Sequence, residues 1–527
     1  MSSQRESFRG LSAAEFFYRN REIAGFTNPT RALYQTVREL VENSLDATET
    51  HGILPDIKVV IQLDEKDPNK VYVEVSDNGI GVPVEEIPSV FARVFYGSKY
   101  VLRQTRGIFG LGIKMTVLYS QITTGRPLYV QSSTPESPVI AEYELLINIK
   151  MNLPIILSEK LIRKRKKFHG THVKLCIEGN WSQARRKVEE YIKRTAMITP
   201  YANITFITPE GTTIYKRSTK IMPPPPQIGK PHPYGVDTEL LKHLFVGNGN
   251  QRLKDFIMEN FEGVGEATAE DFLKWSKIPN KKLSSFTIEE IAKIARKLKE
   301  YPNWRRPRPT TLSPVGEKLL KKGIKSILEA EYVAAVTRKP LSYRGNPFIV
   351  EVAIAWGGKI PASDKPILYR YANKIPLLYD EGADVSRKIV DSIDWSLYKV
   401  KFPAPLVVVV HVCSTKIPFK GIGKEAIADV PELEREIENA IKEAARRLRI
   451  HLRAVERAHE ILRRKITFEK YIPEVARALS IITTVDEKTL AEKMYKMMER
   501  EIEKVAAPVS VPAPTTVSVK AKQEVKR

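Results

Sequence analysis

A chain of 527 residues, 42% of them hydrophobic, is long enough for three or four domains with packed cores. Its net charge of +23 favours a polyanionic partner (DNA, RNA or an anionic surface) over a charge-balanced, thermophile-like exterior. No apolar run approaches the roughly 20 residues of a membrane span, and Met1-Ser-Ser-Gln-Arg lacks an apolar segment, so neither a membrane-spanning helix nor a secretory signal is expected.

Residues 1–20 read as a polar arm carrying Phe8, Phe16, Phe17 and Tyr18. A helix follows around 31–48. At about 100° per residue its apolar Leu33, Val37, Leu40 and Val41 fall on one side, and Glu39, Asn43 and Asp46 on the other. The polar side therefore lines something. The amide oxygen of Asn43 suits a Mg²⁺ shell completed by phosphates and waters. Glu39, one turn earlier, is placed to act as a general base on a water. A solvated helix face would carry the same residue types, and Glu42, at the edge of the stripe, has no assigned role beyond that of a surface charge.

Strands are expected at Asp56–Leu63, Val71–Ser76, Leu128–Ser132, Val139–Ile149 and Thr171–Glu178, giving one helical layer on one sheet. The second strand runs into Asp77-Asn78-Gly79-Ile80-Gly81. A carboxylate there can accept from the exocyclic amine of adenine, and the glycines let backbone approach a flat base; the same triplet also makes an ordinary turn. Gly107-Ile108-Phe109-Gly110-Leu111-Gly112-Ile113-Lys114 is a glycine loop opening a helix, suited to polyphosphate, with Arg93, Ser98, Lys99, Arg103 and Arg106 preceding it as a basic loop. It matches neither a Walker loop nor a Rossmann fingerprint. Thr171 starts the strand after His169-Gly170, where its hydroxyl serves either as a hydrogen-bonding group near the base or as an ordinary strand residue. The run Arg163–Lys167 reads as facing water.

Pro223–Pro226, with Pro231 and Pro233, marks a semi-rigid linker. From 236 to 300 the pattern is helical, around 237–246, 250–260, 266–276 and 287–299. Gly263 and Gly265 sit between two of these helices, as in a helix-two-turns-helix insert or any tight helical hairpin. After the prolines at 302–314, strands are expected at Phe348–Ala355, Ile367–Tyr371 and Pro405–Val412, then a long helix over 431–465 and another over 485–505. Between the last strand and the long helix, Lys424 follows Gly421 and Gly423 and is free to reach a γ-phosphate, as Lys416 and Lys420 also could. Cys176 and Cys413 lie in strand-like runs and read as buried thiols of a reducing, cytoplasmic compartment.

A helix bearing Glu and Asn, then Asp-x-Gly-x-Gly, a glycine loop and Gly-Thr on a strand, in this order over residues 20–220, resembles the GHKL ATPases. A histidine kinase would carry this domain last, after a phosphorylatable helix. The helical insert and the Lys424 segment instead resemble the B subunits of the type IIB DNA topoisomerases, end to end.

The resemblance implies an α+β multidomain chain: a dimer-strap arm over 1–20, a GHKL α/β sandwich ATPase over 21–225 and a helix-two-turns-helix domain over 226–308. A transducer over 309–470, a helical segment over 471–505 and a disordered tail over 506–527 complete it. It implies ATP and Mg²⁺ as cofactors, with Glu39 activating water and Asn43 binding the metal. Asp77 and Thr171 would sit at the adenine. Ser98, Lys99 and Gly107–Lys114 would hold the nucleotide, and Lys424 would sense its γ-phosphate. It further implies an ATP-dependent dimer of B subunits, the tyrosine-bearing A subunit of topoisomerase VI in an A₂B₂ heterotetramer, and double-stranded DNA as substrate. None of the 21 tyrosines here would be the cleaving nucleophile. A MutL-like or chaperone-like clamp would lack the insert at 236–300; a merely structural basic protein would bind no nucleotide.

Overall fold

The computed structural model describes residues 10–98, 101–107, 110–421, 425–483 and 485–506. The chain divides into two compact units, one through Leu448 and one from Arg449 onward.

The first unit opens with α1 (Ala13–Arg19), α2 (Pro29–Glu49), β1 (Asp56–Leu63), β2 (Lys70–Asp77), α3 (Ile87–Ala92) and α4 (Gly112–Thr124). Then come β3 (Leu128–Ser133), β4 (Val139–Asn148), β5 (Leu153–Arg163), β6 (Gly170–Glu178), α5 (Trp181–Ile198), β7 (Asn203–Thr208) and β8 (Gly211–Tyr215). The strands form one sheet in the order β5-β4-β3-β6-β2-β1-β7-β8. Helix α2 starts where Asn28 accepts from the Arg31 amide and Pro29 occupies the first turn, where its missing N–H costs nothing. Its Leu33, Val37, Leu40 and Val41 are buried in the core with Val59, Val73, Val75 and Val173 of the sheet. This is the helix-on-sheet sandwich expected from the sequence. Of the expected arm, α1 packs on its own chain: Ser12 caps it and donates to the Ile149 carbonyl, and Ala14 and Phe17 are buried.

Four helices follow, α6 (Thr238–Gly247), α7 (Leu253–Asn260), α8 (Glu266–Ser276) and α9 (Ile288–Glu300). They close on their own core, built on Phe245, Phe256, Phe261, Phe272 and Trp304. Next are α10 (Glu317–Leu328), β9 (Tyr332–Thr337), β10 (Leu341–Tyr343), β11 (Asn346–Trp356), β12 (Ile367–Ala372), β13 (Ile375–Leu377), α11 (Val385–Ser392) and β14 (Leu406–Ser414). Here the sheet runs β10-β11-β14-β12-β13, with β9 also paired to β11. Every residue of β14 is buried, as a central strand covered on both faces should be.

Two helices close the chain, α12 (Pro431–Thr483) and α13 (Glu487–Ala506). The helix expected over 431–465 does not end there: it continues through Pro473 to Thr483. Proline removes one hydrogen bond, the one to the carbonyl of the exposed residue Glu469 four positions back. Both cysteines are free and buried, as expected. The expected tail beyond Ala506 lies outside the described residues.

Candidate functional site

Glu39, Asn43 and Ala47 follow one another at four-residue intervals along α2, half-buried on one stripe, and line a cavity of about 530 Å³. Asp77, Thr171, Ser98, Gly107, Gly110, Leu111, Gly112, Ile113 and Lys114 line the same cavity. The structure thus brings these sequence-derived candidates onto one site. Lys99, Ile108, Phe109 and Lys424 lie outside the described residues. Lys416 is exposed, and Lys420 pairs with Asp429 at 2.9 Å.

Asp77 ends β2 directly behind α2. Its carboxylate accepts from the Ser44 hydroxyl (2.7 Å), the Gly79 amide (2.8 Å) and the Thr171 amide (3.3 Å). Burial nevertheless outweighs these donors and raises its pKa to about 6. The turns around it are tight enough to exclude side chains. A Cβ at Gly81, whose φ is +73°, would strike the Ser133 carbonyl oxygen, and one at Gly170 (φ +125°) would strike that of Asp77 itself. Thr171 fixes the neighbouring wall, its hydroxyl 3.0 Å from that of Ser132.

Helix α4 begins at Gly112, against the tip of the Glu39 side chain, and a Cβ there would overlap the carboxylate. The other side of that carboxylate accepts from the Gln35 carboxamide at 2.8 Å. Glu39 is therefore held between its own helix and the glycine segment, facing the cavity. Lys114 is buried, and its ammonium donates to the Tyr96 carbonyl at 2.8 Å. Arg103 lines the cavity from the loop before the glycines.

Arg106, read as one of the basic residues preceding the glycine loop, turns inward. It is buried and donates to Glu49 (2.7 Å) and Asp46 (3.3 Å) on α2. Glu42 is not a surface charge: it is buried and accepts from Arg38 at 2.7 Å. Arg38 also reaches Glu425 at 2.9 Å, 387 residues further along the chain. Glu49 also accepts from the Tyr201 hydroxyl and from Lys374, each at 2.9 Å. Burial alone would raise the Glu49 pKa, but Arg106 and Lys374 prevail and hold it at about 2. The Arg38–Glu42 spacing of four was visible in the sequence; Glu425 and Lys374, as partners more than 300 residues away, left no local signal.

Two family models match the chain. Residues 28–141 match the histidine kinase-, DNA gyrase B- and HSP90-like ATPase model, and residues 307–464 match the topoisomerase VI B subunit transducer model. A protein of Pyrobaculum aerophilum, named as the B subunit of type 2 DNA topoisomerase 6, is 53% identical over 497 residues, covering 94% of each chain. One of the same name from Saccharolobus solfataricus is 46% identical over 514 residues, 95% of this chain and 97% of the other.

The glycines of the site should separate by what their Cβ would meet. Gly81→Ala and Gly170→Ala press on backbone at positive φ and should each cost about 2 kcal/mol or more in denaturant unfolding. Gly112→Ala meets a side-chain tip that can swing aside and should cost less than about 1 kcal/mol. The opposite ranking would contradict the packing described here.

Proposed function

Since the chain belongs to the B-subunit family of type 2 DNA topoisomerase 6 (topoisomerase VI), we propose that its α2–α4 cavity binds and hydrolyses ATP to drive passage of one DNA duplex through another. The chain is the ATPase subunit of a topoisomerase, an isomerase that relaxes supercoils and unlinks duplexes. The observation that carries the site assignment is the convergence of Glu39, Asn43, Asp77, Thr171 and the glycine segment on one cavity.

In this reading the ionised Asp77 accepts a hydrogen bond from the adenine amine while Ser44 and the Gly79 amide hold its orientation. The Gly107–Lys114 segment, with Ser98 and Lys99, surrounds the phosphates, and the start of α4 turns backbone amides toward them. Asn43 offers a hard neutral oxygen on the cavity stripe. One such protein ligand fits Mg²⁺, which keeps waters and phosphate oxygens for the rest of its shell and, when bound, neutralises phosphate charge. Glu39, aimed by Gln35, accepts the proton of the attacking water. Lys424 supplies a point charge to the γ-phosphate from the transducer. The anchoring of its neighbour Glu425 to Arg38, the residue before Glu39, supports that role.

The DNA-cleaving tyrosine belongs to an A-type partner chain, in an A₂B₂ heterotetramer that ATP closes through a B–B dimer with the N-terminal arms as straps. The division into ATPase, helix-two-turns-helix and transducer domains near 225 and 308 belongs to the same reading, as does a cytoplasmic location beside the DNA. Among the described residues, no helix is long and apolar enough to cross a membrane.

Glu39→Ala should bind ATP as the parent does and lose turnover by about 10²–10⁴-fold. Assembled with its DNA-cleaving partner, the parent should relax supercoiled DNA only with ATP, and the variant should not. Unimpaired hydrolysis by Glu39→Ala would remove the general-base assignment.

Because the Asp77 pKa stands at about 6, the accepting carboxylate is mostly lost at pH 5 and mostly present at pH 7. Adenosine has no phosphate to titrate in this range. Its affinity should rise about tenfold between those two pH values. Asp77→Asn should bind weakly with a flat profile, and a flat profile in the parent would contradict the adenine contact.

A further inference from the structure

Strands β12 and β13 form a hairpin whose pairing runs from Arg370–Leu377 to Ala372–Ile375, leaving Asn373-Lys374 as a two-residue turn. Both turn residues have positive φ, 49° and 67°. Asn tolerates that conformation; a lysine at the second position, where glycine is usual, is held there at a cost. The turn's contacts show what holds it. Lys374 is buried, and its ammonium donates to Glu49 on the last turn of α2 (2.9 Å) and to the Ser313 hydroxyl (3.2 Å). The Asn373 carboxamide donates to the Thr105 carbonyl at 3.2 Å, two residues before Gly107.

The segment bearing Thr105 is itself tied in several directions. Gln104 exchanges two hydrogen bonds with Ser313, at 2.7 and 3.4 Å, and Arg106 shares Glu49 with Lys374. Glu49 is thus a joint between the chain entering the glycine loop and the transducer sheet. Behind the hairpin the Lys374 amide donates to His411 Nε2 (2.9 Å), and His411 Nδ1 faces Glu351 at 2.8 Å. Glu351 in turn accepts from the Val315 and Gly316 amides, where the chain leaves the helical segment. Glu351, His411 and Cys413 lie close enough to hold a metal ion, but this network already occupies both carboxylate oxygens and both ring nitrogens. For adhesion alone, an apolar hairpin tip would serve as well as a buried ion pair; a buried pair does fix register.

We propose that the Asn373-Lys374 tip is a positioning element that transmits the state of the nucleotide loop to the transducer, through the Glu49 carboxylate it shares with Arg106. This rests on the reading of the cavity as the ATP site. Neither tip residue touches nucleotide in this proposal. Their loss should leave ATP affinity alone and separate hydrolysis from its mechanical use.

The test uses the full chain assembled with its DNA-cleaving partner, measuring ATP affinity, ATP turnover and supercoils relaxed per ATP consumed. Lys374→Met should keep ATP affinity within about twofold and lower relaxation per ATP by about tenfold, the size of a typical coupling between sites. Asn373→Gly keeps the left-handed backbone and removes only the carboxamide contacts, so it decides the matter if Lys374→Met does not fold; it should shift the ratio in the same direction. Relaxation per ATP at the parent value in a folded variant would overturn the proposal. So would a loss of ATP affinity in step with everything else, which marks a merely structural role. A parent chain that binds no ATP would instead remove the site reading beneath it.

Discussion

Helix α2 carries acids on two faces, and the pairing of the buried ones constrains everything around it. An unpaired carboxylate in the interior costs several kcal/mol, so each must find a cation. Within its own helix only Arg38 is in reach, and it pairs with Glu42. Asp46 and Glu49 are compensated from outside, by Arg106 on the glycine-loop approach and Lys374 on the transducer hairpin. Arg38, bonded on one side to Glu42, takes Glu425 on the other. The charge balance of one helix thereby draws in the loop and the second sheet, and the cavity face of that helix inherits a fixed position relative to both.

The cavity face works by the opposite means, close approach without side chains. Gly81 and Gly170 bring backbone against backbone beside Asp77, and Gly112 lets α4 start against Glu39. The carboxylates therefore face a space shaped by main chain, where a flat base and a polyphosphate can both come near. Asp77 is half-buried among neutral donors, and Glu49 is buried between two cations. Their pKa values move apart accordingly, to about 6 and about 2. The same residue chemistry gives a carboxyl poised near neutrality in one place and a permanent charge in the other.

What the sequence made legible follows this division. Glu39, Asn43, Asp77 and the glycine run are encoded by local spacing, and the structure gathers their described members on one cavity. The burial of Arg106 was not legible, because its acids Asp46 and Glu49 lie 60 and 57 residues back in the chain; that of Glu42 was not, because Arg38, its partner in the helix, is itself held by Glu425, 387 residues further on. Strand β5 escaped notice because it lies at the sheet edge with Ile155, Ile156, Leu157, Leu161 and Ile162 exposed, so no alternation of apolar and polar marks it. Helix α12 outran expectation because a single proline weighs little in a helix of 53 residues. The four helices over 236–300, which close on a core of their own, matched closely.

In the proposed reading, the α2–α4 cavity is coupled to the transducer hairpin through Glu49. Amide hydrogen exchange on the full chain, with and without ATP, reads this directly. Nucleotide should change the protection of residues 104–106 and of residues 370–377 together. A change confined to 104–106, with the hairpin exchanging as it does without ATP, would contradict the account.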